Sequence, residues 1–248
     1  CQVAVFTVSV ASLKALEAQG VEIDLKFTAG LSLGEYTALV AAGALKFAQG
    51  LTLVSKRAQY MEQASCQNPG GMVSIIGLPL NAVEKICQEA KVEISNLNCP
   101  GQVVISGNHQ GLEKAKKIAV ASGAKRTIPL KVSGGFHSSL IAPASQKLAQ
   151  ALEEAEICPT EIPVVSNVTA KEERAPSEIK NNLIRQLVSR TLWEDSISFI
   201  SSSGIKNFIE IGPGKVLKGL VRKIDPALKV HSIGTIEELR QFRKEQSL

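Results

Sequence analysis

The sequence is short of several residue types, and each shortage excludes a class of protein. Aromatic residues make up 4% of the chain, histidine occurs three times, and the five cysteines form no Cys-X-X-Cys pair. Neither a zinc site nor a disulfide framework is expected, so we predict no metal and a reducing compartment. No apolar run is long enough for a membrane span, and no Lys/Arg run is dense enough for a nucleic-acid arm. We therefore expect neither a membrane nor a nucleic acid as partner.

What is present fits a folded enzyme of moderate size. The chain has 248 residues, of which 44% are hydrophobic, and its formal net charge is +5. This composition can bury one large domain, or one domain that carries a smaller insertion. The mild positive charge suits an acidic partner or a phosphate-bearing substrate.

The most informative stretch is Gly30-Leu31-Ser32-Leu33-Gly34, which lies between an apolar lead-in and a helix-compatible run. A strand that turns sharply into a helix at a serine is the nucleophile elbow of acyl-transfer enzymes. We expect glycine on both sides because side chains there would collide with the strand and the helix. The alternative is that Ser32 merely caps a helix.

Outside one segment, predicted strands and helices alternate along the chain, among them strands at 21–27 and 162–167 and a helix at 181–188. This alternation indicates an α/β fold with a parallel sheet and a three-layer, α/β-hydrolase-like core. Residues 72–130 differ: strands at 72–77, 92–97, 102–107 and 124–130 and helices at 80–90 and 111–122 give the order βαββαβ. That order is typical of a small ferredoxin-like α+β subdomain. Glycine-rich turns on both sides mark it as an insertion, so we predict a large catalytic domain from residues 1–71 and 131–248 and an inserted subdomain at 72–130.

Arg57 occupies an unusual place in a predicted helix at residues 47–64. It shares one face with Leu53, Tyr60, Met61 and Ala64, so its guanidinium rises from a largely apolar stripe. It could extend to water or pair with a carboxylate, or it could hold an anionic substrate through two parallel hydrogen bonds.

A nucleophilic serine needs a base within hydrogen-bonding reach. His109 follows Asn108 at the start of a predicted helix and His231 lies in a predicted strand, whereas His137 lies in a glycine-flanked loop at the return from the insertion. We favour His137, because a site in an interdomain cleft requires such a position. No acid between the serine and the histidine stands out, so we predict a Ser-His dyad oriented by a backbone carbonyl.

Six motifs, in the order in which they occur here, resemble those of the malonyl-CoA:acyl carrier protein transacylases, the loading enzymes of type II fatty acid synthesis. The resemblance covers essentially the whole chain. They are Gly30-Leu31-Ser32-Leu33-Gly34-Glu35-Tyr36, Arg57, Asn98-Cys99-Pro100-Gly101-Gln102-Val103-Val104, Phe136-His137, Ser166-Asn167-Val168 and Glu210-Ile211-Gly212-Pro213-Gly214-Lys215-Val216-Leu217.

The resemblance implies a role for each catalytic residue. Ser32 would carry the malonyl ester, His137 would be the base, and Arg57 would hold the malonyl carboxylate. The backbone N–H of Leu33 would be one oxyanion donor. A backbone carbonyl near 212–214 would fix His137.

Other residues are assigned to substrate binding in the same way. Asn98 and Asn167 would line the site, and Phe136 would restrict room for the extra methyl group of a methylmalonyl substrate. Leu31 stands where the family usually has histidine; leucine there also occurs in plant and plant-like members.

A second departure concerns the beginning of the chain. The family starts with a strand and a Gly-Gln-Gly loop whose glutamine N–H is the second oxyanion donor, and this sequence does not contain that segment. Loss of one such donor costs about a hundredfold to a thousandfold in rate. We expect the natural protein to be active, and this segment, if it is a fragment, to be weakly active or inert.

The implied function is transfer of malonyl from malonyl-CoA to the phosphopantetheine thiol of acyl carrier protein, with no cofactor, in the cytoplasm or, in a plant-like source, the plastid stroma. A monomer is expected. Lys125, Arg126, Lys131, Lys218, Arg222 and Lys223 are candidates for docking the acidic carrier. Two alternatives remain: a serine esterase or thioesterase acting on uncharged acyl groups, and a weakly active or inactive fragment that binds the carrier.

Overall fold

The computed structural model describes residues 1–20 and 23–246. Its helices are α1 (Gln2–Glu17), α2 (Gly34–Ala41), α3 (Phe47–Gln67), α4 (Leu80–Ala90), α5 (His109–Ala121), α6 (Ala142–Glu154), α7 (Pro176–Gln186), α8 (Trp193–Ser202), α9 (Val216–Ile224) and α10 (Ile236–Gln246), with a 3-10 helix at Ser139–Ile141. Its strands are β1 (Thr28–Ala29), β2 (Gly71–Ile76), β3 (Glu93–Cys99), β4 (Gln102–Gly107), β5 (Arg126–Pro129), β6 (Val164–Val165), β7 (Glu172–Glu173), β8 (Thr191–Leu192), β9 (Asn207–Ile211) and β10 (Lys229–Ile233).

These elements confirm an α/β fold with mixed sheets. The largest sheet has the strand order β5-β2-β4-β3-β8, antiparallel except where β8 joins β3. A second sheet has the order β1-β6-β7, with β1 parallel to β6, and β9 pairs with β10 in parallel. The predicted order βαββαβ between residues 72 and 130 is present as β2, α4, β3, β4, α5 and β5.

Three predicted boundaries need correction. The strand before the elbow contains only Thr28 and Ala29, and Asp24 and Lys26 before it form an exposed ion pair. Residues 21–22 of the predicted segment lie outside the described residues. The strand predicted at 162–167 is reduced to Val164–Val165. The helix predicted at 181–188 begins earlier, at Pro176, whose fixed φ suits the first turn of a helix.

The main core lies around the helix that carries Arg57. Helix α3 packs against α1 and α6, and buried residues from these helices and from α2 and α7 form one cluster that includes Phe6, Leu39, Val54, Leu148 and Leu183. A separate cluster lies between the large sheet and helices α4 and α5, with Ile75, Val83 and Ile105 at its centre. None of the helices in the described part of the chain combines the length and apolar character that a bilayer span requires.

Candidate active site

The elbow brings Ser32 out of a sharp turn between β1 and α2. Ser32 has a φ of +53°, in the left-handed region that costs energy for any residue with a side chain. A Cβ atom at Gly30 would lie far inside van der Waals contact with the carbonyl group of Gly34 and 2.5 Å from the nitrogen of Glu35. At Gly34, a Cβ would meet nothing within 4 Å. The expectation that both glycines avoid a collision is therefore correct for Gly30 and wrong for Gly34, since α2 turns the Cα of Gly34 toward open space.

This asymmetry gives a matched pair of substitutions. Gly30→Ala forces the strand and the helix apart and is expected to lower the free energy of unfolding by about 3 kcal/mol or more. Gly34→Ala adds a methyl group in open space at the start of a helix, where alanine is favoured over glycine by up to about 1 kcal/mol. Urea denaturation followed by circular dichroism measures both. Equal stabilities of the two variants would contradict the steric account of the elbow.

Ser32 and His137 form the predicted dyad. The Oγ atom of Ser32 lies 2.8 Å from Nε2 of His137, and Nδ1 of His137 lies 2.7 Å from the carbonyl oxygen of Gln186. A carbonyl only accepts hydrogen bonds, so Nδ1 carries the proton and Nε2 is left to accept the proton of Ser32. The structure thus supplies an orienting backbone carbonyl, as predicted, but it belongs to Gln186.

The carbonyl near residues 212–214 does not have this role. Gly212 donates its N–H to Ile233, and its Cα faces Ser9, so this turn contacts β10 and α1 instead. The position that the resemblance implied for the carbonyl was wrong. Every residue has a main-chain carbonyl, so the residue types in the sequence do not indicate which one orients the histidine. His109 is exposed at the start of α5, and His231 pairs with Glu245 at 3.1 Å, so neither competes with His137 as the base.

The environment keeps the imidazole neutral. Burial lowers the pKa of His137 to about 4, and the positive charge of Arg57 acts in the same direction, while the hydrogen bond to Gln186 opposes them. A neutral imidazole is the form that can accept a proton, so His137 is in its basic form at neutral pH.

Arg57 lies directly at the nucleophile. Its side chain is 1% exposed, and its Nη2 donates to Ser32 Oγ at 2.8 Å and to Gln186 Oε1 at 3.2 Å. Its Nη1 donates to Gln2 Oε1, and the guanidinium lies 5.6 Å from the ring centre of Tyr36. Within residues 1–20 and 23–246, no carboxylate forms an ion pair with it, so it neither extends to water nor neutralises an internal acid.

Burial without an ion pair lowers the pKa of Arg57. A desolvated cation with neutral hydrogen-bond partners gains more from an incoming carboxylate than a hydrated cation does. Arg57 is therefore a ready anchor for an acid group attached to an acyl chain on Ser32.

The backbone around Ser32 is held from two sides. The N–H of Ser32 donates to Asn167 Oδ1 at 2.6 Å, and Nδ2 of Asn167 donates to the Gly30 carbonyl at 2.7 Å. In the described part of the chain, the N–H of Leu33 has no hydrogen-bond partner. It lies at the N-terminus of α2, where the helix dipole favours negative charge, and it is free to serve as an oxyanion donor.

The remaining predicted residues lie around this centre at different distances from the chemistry. Leu31 packs with the cluster of Trp193 and Ile197, whereas Phe136, which precedes the base, packs against the main core. Asn98 is at the end of β3, and its Oδ1 is buried with no hydrogen-bond partner among the described residues. The structure does not join Asn98 by a hydrogen bond to Ser32, His137 or Arg57.

Two polar residues were missed by sequence reasoning. Gln186, at the end of α7, is buried; its Nε2 donates to the Ser32 carbonyl at 3.0 Å and to Glu35 Oε2 at 2.8 Å. Glu35 follows the elbow and also accepts the N–H of Asn167 at 3.2 Å. The only sequence signal was Glu35 itself, an acid in a run that otherwise reads as an apolar helix face; Gln186 gave none.

A cleft of about 580 Å³ reaches the base from the side of the inserted segment. Its lining includes His137 with Val188 and Arg190 on one side and Glu84, Cys87, Gln88, Glu93 and Ile94 on the other. The lining therefore combines residues of the segment 72–130 with residues outside it, and it includes neither Ser32 nor Arg57.

Comparisons with known proteins agree with this geometry. The acyl transferase domain family matches residues 1–244. The malonyl CoA-acyl carrier protein transacylase of Bacillus subtilis strain 168 is 44% identical, over 99% of this chain and 80% of its own length. The crystal structure of an acyl-carrier-protein S-malonyltransferase from Burkholderia pseudomallei 1710b superposes with a TM-score of 0.93 at 42% identity, covering 98% of this chain and 80% of that one.

A third relative was solved together with its partner. It is a malonyl-transacylase in complex with a type II PKS acyl carrier protein, with a TM-score of 0.94 and 37% identity over 98% of this chain and 80% of that chain. The family model spans nearly the whole sequence, and relatives well above 30% identity share one activity in their names. The chain therefore belongs to the acyl transferase family, among the malonyl-CoA:acyl carrier protein transacylases.

Proposed function

We propose that this chain transfers the malonyl group of malonyl-CoA to the phosphopantetheine thiol of acyl carrier protein through an ester on Ser32. The observation that carries the proposal is the position of Ser32 Oγ, which lies 2.8 Å from His137 Nε2 and 2.8 Å from Arg57 Nη2. One oxygen thus has a base to remove its proton and a cation to bind the acid end of its acyl group.

The reaction follows from these contacts in two half-reactions. Ser32 Oγ passes its proton to His137 Nε2 and attacks the thioester carbon, and the oxygen of the tetrahedral intermediate accepts the Leu33 N–H. The C–S bond breaks, and the thiol of CoA leaves with the proton from His137. The carrier thiol then enters, gives its proton to the same nitrogen, and attacks the ester carbon. The C–O bond to Ser32 breaks, and His137 returns the proton to Oγ, which restores Ser32.

Arg57 gives the reaction its selectivity. When malonyl is attached, its carboxylate replaces Ser32 Oγ and the glutamine oxygens as the acceptor for the guanidinium. A charge-assisted, bidentate pair in a dry site is much stronger than those neutral contacts. Phe136, Leu31, Asn98 and Asn167 complete the assigned set; Asn167 acts by bracing the elbow, and the other three by shaping the pocket.

The acidic carrier would dock on a surface of basic and apolar side chains. Lys125, Arg126 and Lys131 are exposed at or near β5. Lys223 of α9 donates to Gln102 of β4 at 3.0 Å, and β4 is separated from β5 by one strand, β2. Lys218 and Arg222 lie on the same helix as Lys223. The apolar side chains of Ile128, Leu130 and Val132 are exposed beside them, as a docking surface would require.

The finer architecture belongs to the same proposal. We assign residues 1–71 and 131–248 to an α/β-hydrolase-like catalytic domain and 72–130 to an inserted ferredoxin-like subdomain. The antiparallel order β5-β2-β4-β3 and a hydrophobic core of its own support the insertion. We further propose a monomer that uses no cofactor and works in the cytoplasm or plastid stroma; the five free cysteines fit a reducing compartment.

An esterase for uncharged acyl groups is the weaker interpretation. It would have no use for a buried guanidinium at the nucleophile, and the relatives are named as transacylases. A fragment that only binds the carrier would have no need for an intact dyad.

Intact-protein mass spectrometry tests the proposal. Incubation with malonyl-CoA is expected to add one malonyl group, located by digestion on the peptide that contains Ser32, and addition of holo acyl carrier protein is expected to remove it and malonylate the carrier. CoA alone is the control. Binding of the carrier with no adduct would refute the transferase, and an adduct discharged only to water would favour the esterase.

A further inference from the structure

The buried carboxyl group of Glu35 is bonded in an uneven way. Its side chain is 0% exposed, and both of its hydrogen-bond donors, Gln186 Nε2 at 2.8 Å and the Asn167 N–H at 3.2 Å, are directed at Oε2. The other oxygen, Oε1, is equally buried and has no partner among the described residues.

This pattern suits a protonated carboxyl group better than a carboxylate. A carboxylate shares its charge over two oxygens, and a buried one is stable only when both are well supplied with donors or a cation. A neutral acid needs donors only at its carbonyl oxygen, here Oε2, and would carry its proton on Oε1, where the O–H has no acceptor among the described residues. One unpaired buried O–H costs about 1–3 kcal/mol, which is less than the cost of a buried charge with donors on one oxygen only. We propose that Glu35 is a neutral carboxylic acid in the working enzyme, and that its carbonyl oxygen positions Gln186 and, through it, Arg57.

Gln186 is the link between Glu35 and substrate binding. Because its Nε2 is directed at Glu35 and at the Ser32 carbonyl, its Oε1 is turned toward Arg57 Nη2. An ionised Glu35 would accept the same hydrogen bond from the Gln186 amide. It would also place a negative charge near the guanidinium of Arg57, with only Gln186 between them. That charge would oppose the malonyl carboxylate and leave uncharged acyl groups unaffected. This inference rests on the function proposed above, and it adds a pH dependence to it.

The groups that surround Glu35 support the direction of the effect. Burial raises the pKa of Glu35 to about 8, and the negative charge of Glu173 in β7 adds to this, while the bonds from Gln186 and Asn167 and the charge of Arg57 in α3 oppose it. Tyr36 beside it stays neutral, since burial raises its pKa to about 12. β1 and β6 contribute no titratable side chain, and the charged pair of α1, Lys14 and Glu17, is exposed.

The test is the KM for malonyl-CoA as a function of pH, corrected for thioester hydrolysis, with acetyl-CoA as the uncharged control. As the pH rises through about 8, Glu35 loses its proton, and the KM of the wild type for malonyl-CoA is expected to rise about fivefold or more. The KM for acetyl-CoA should stay level. Glu35→Gln mimics the neutral acid and should abolish the rise, whereas Glu35→Ala should raise the KM for malonyl-CoA at every pH.

Glu173→Gln gives a second, directional readout. Removal of a neighbouring negative charge makes Glu35 easier to ionise, so the rise in KM should move to lower pH. A rise that persists unchanged in Glu35→Gln, or a loss of malonyl transfer at pH 7 in that variant as large as in Glu35→Ala, would overturn the proposal.

Infrared spectroscopy tests the protonation state without relying on activity. Burial also raises the pKa of Glu173, to about 7, so this residue adds a partly protonated carboxyl group of its own near neutral pH. The carbonyl band of protonated carboxylic acid in the wild type should therefore lose intensity in Glu35→Gln and keep its Glu35 component in Glu173→Gln. A band of equal intensity in the wild type and Glu35→Gln would overturn the proposal even if a variant folds poorly. If the wild type forms no malonyl adduct, the proposed function fails. If it forms the adduct but its KM is independent of pH, only the inference about Glu35 fails.

Discussion

Ser32→Ala is expected to abolish the malonyl adduct and to lower the transfer rate by about ten-thousandfold or more, because no other hydroxyl or thiol group among the described residues is hydrogen-bonded to Nε2 of His137. The fold should persist, since Ser32 is partly exposed and its Oγ is hydrogen-bonded, within the part of the chain that the structure describes, to His137 and Arg57 alone. Transfer from radiolabelled malonyl-CoA to holo acyl carrier protein measures the rate.

Ser138→Ala is the matched control for this experiment. Ser138 follows the base and is fully buried, but its hydroxyl donates to the Gly135 carbonyl and not to His137. This variant should keep the adduct, although it loses one buried hydrogen bond of about 1 kcal/mol. If the adduct survived in Ser32→Ala and vanished in Ser138→Ala, the assignment of the nucleophile would be wrong.

Arg57→Ala should separate malonyl from uncharged acyl groups. Removal of a partner from a buried charge pair costs about 3–5 kcal/mol, which corresponds to about a hundredfold to a few thousandfold in kcat/KM for malonyl-CoA. Transfer from acetyl-CoA should be retained or increased, because the cation has no contact with an acyl group that carries no acid. An esterase would show almost the same loss, or none, for both substrates.

Lys56 provides the control for charge alone. It is the neighbour of Arg57 on α3, but its side chain faces solvent and forms a pair with Glu154 at 3.4 Å. Exposed pairs contribute at most about 1 kcal/mol, so Lys56→Ala should leave the ratio of malonyl to acetyl transfer unchanged. A fall in that ratio in Lys56→Ala would point to a general effect of positive charge and contradict the role of Arg57.

The sequence was sufficient to predict the site residues that act through their side chains. The glycine-flanked serine predicted the elbow, and the structure confirms this geometry. The arginine on an apolar stripe left three interpretations open, and the structure removes the extension to water, since the side chain is buried. His137 was chosen by its position in a loop between two predicted units, and it lies 2.8 Å from Ser32. In each case, a residue with a reactive or charged side chain stood among glycines or apolar residues, where such a side chain is unusual.

The sequence failed where the chemistry depends on the main chain or on distant partners. The carbonyl that orients His137 could belong to any residue, and it comes from Gln186, 49 positions away in sequence. The asymmetric bonding of Glu35 depends on Asn167 and Gln186, which reach it from separate elements. Short strands such as β1 and β6 were overestimated, because pairing ends where exposed charges and loops begin.

Gln186 has a consequence for how this enzyme can diverge. One residue at the last turn of α7 contacts the base through its carbonyl, the guanidinium through its amide oxygen, and the elbow through its amide nitrogen. Any insertion or rotation in α7 therefore disturbs proton transfer and acid recognition together. New acyl preferences in this lineage must arise from substitutions that leave the pitch and length of that helix untouched.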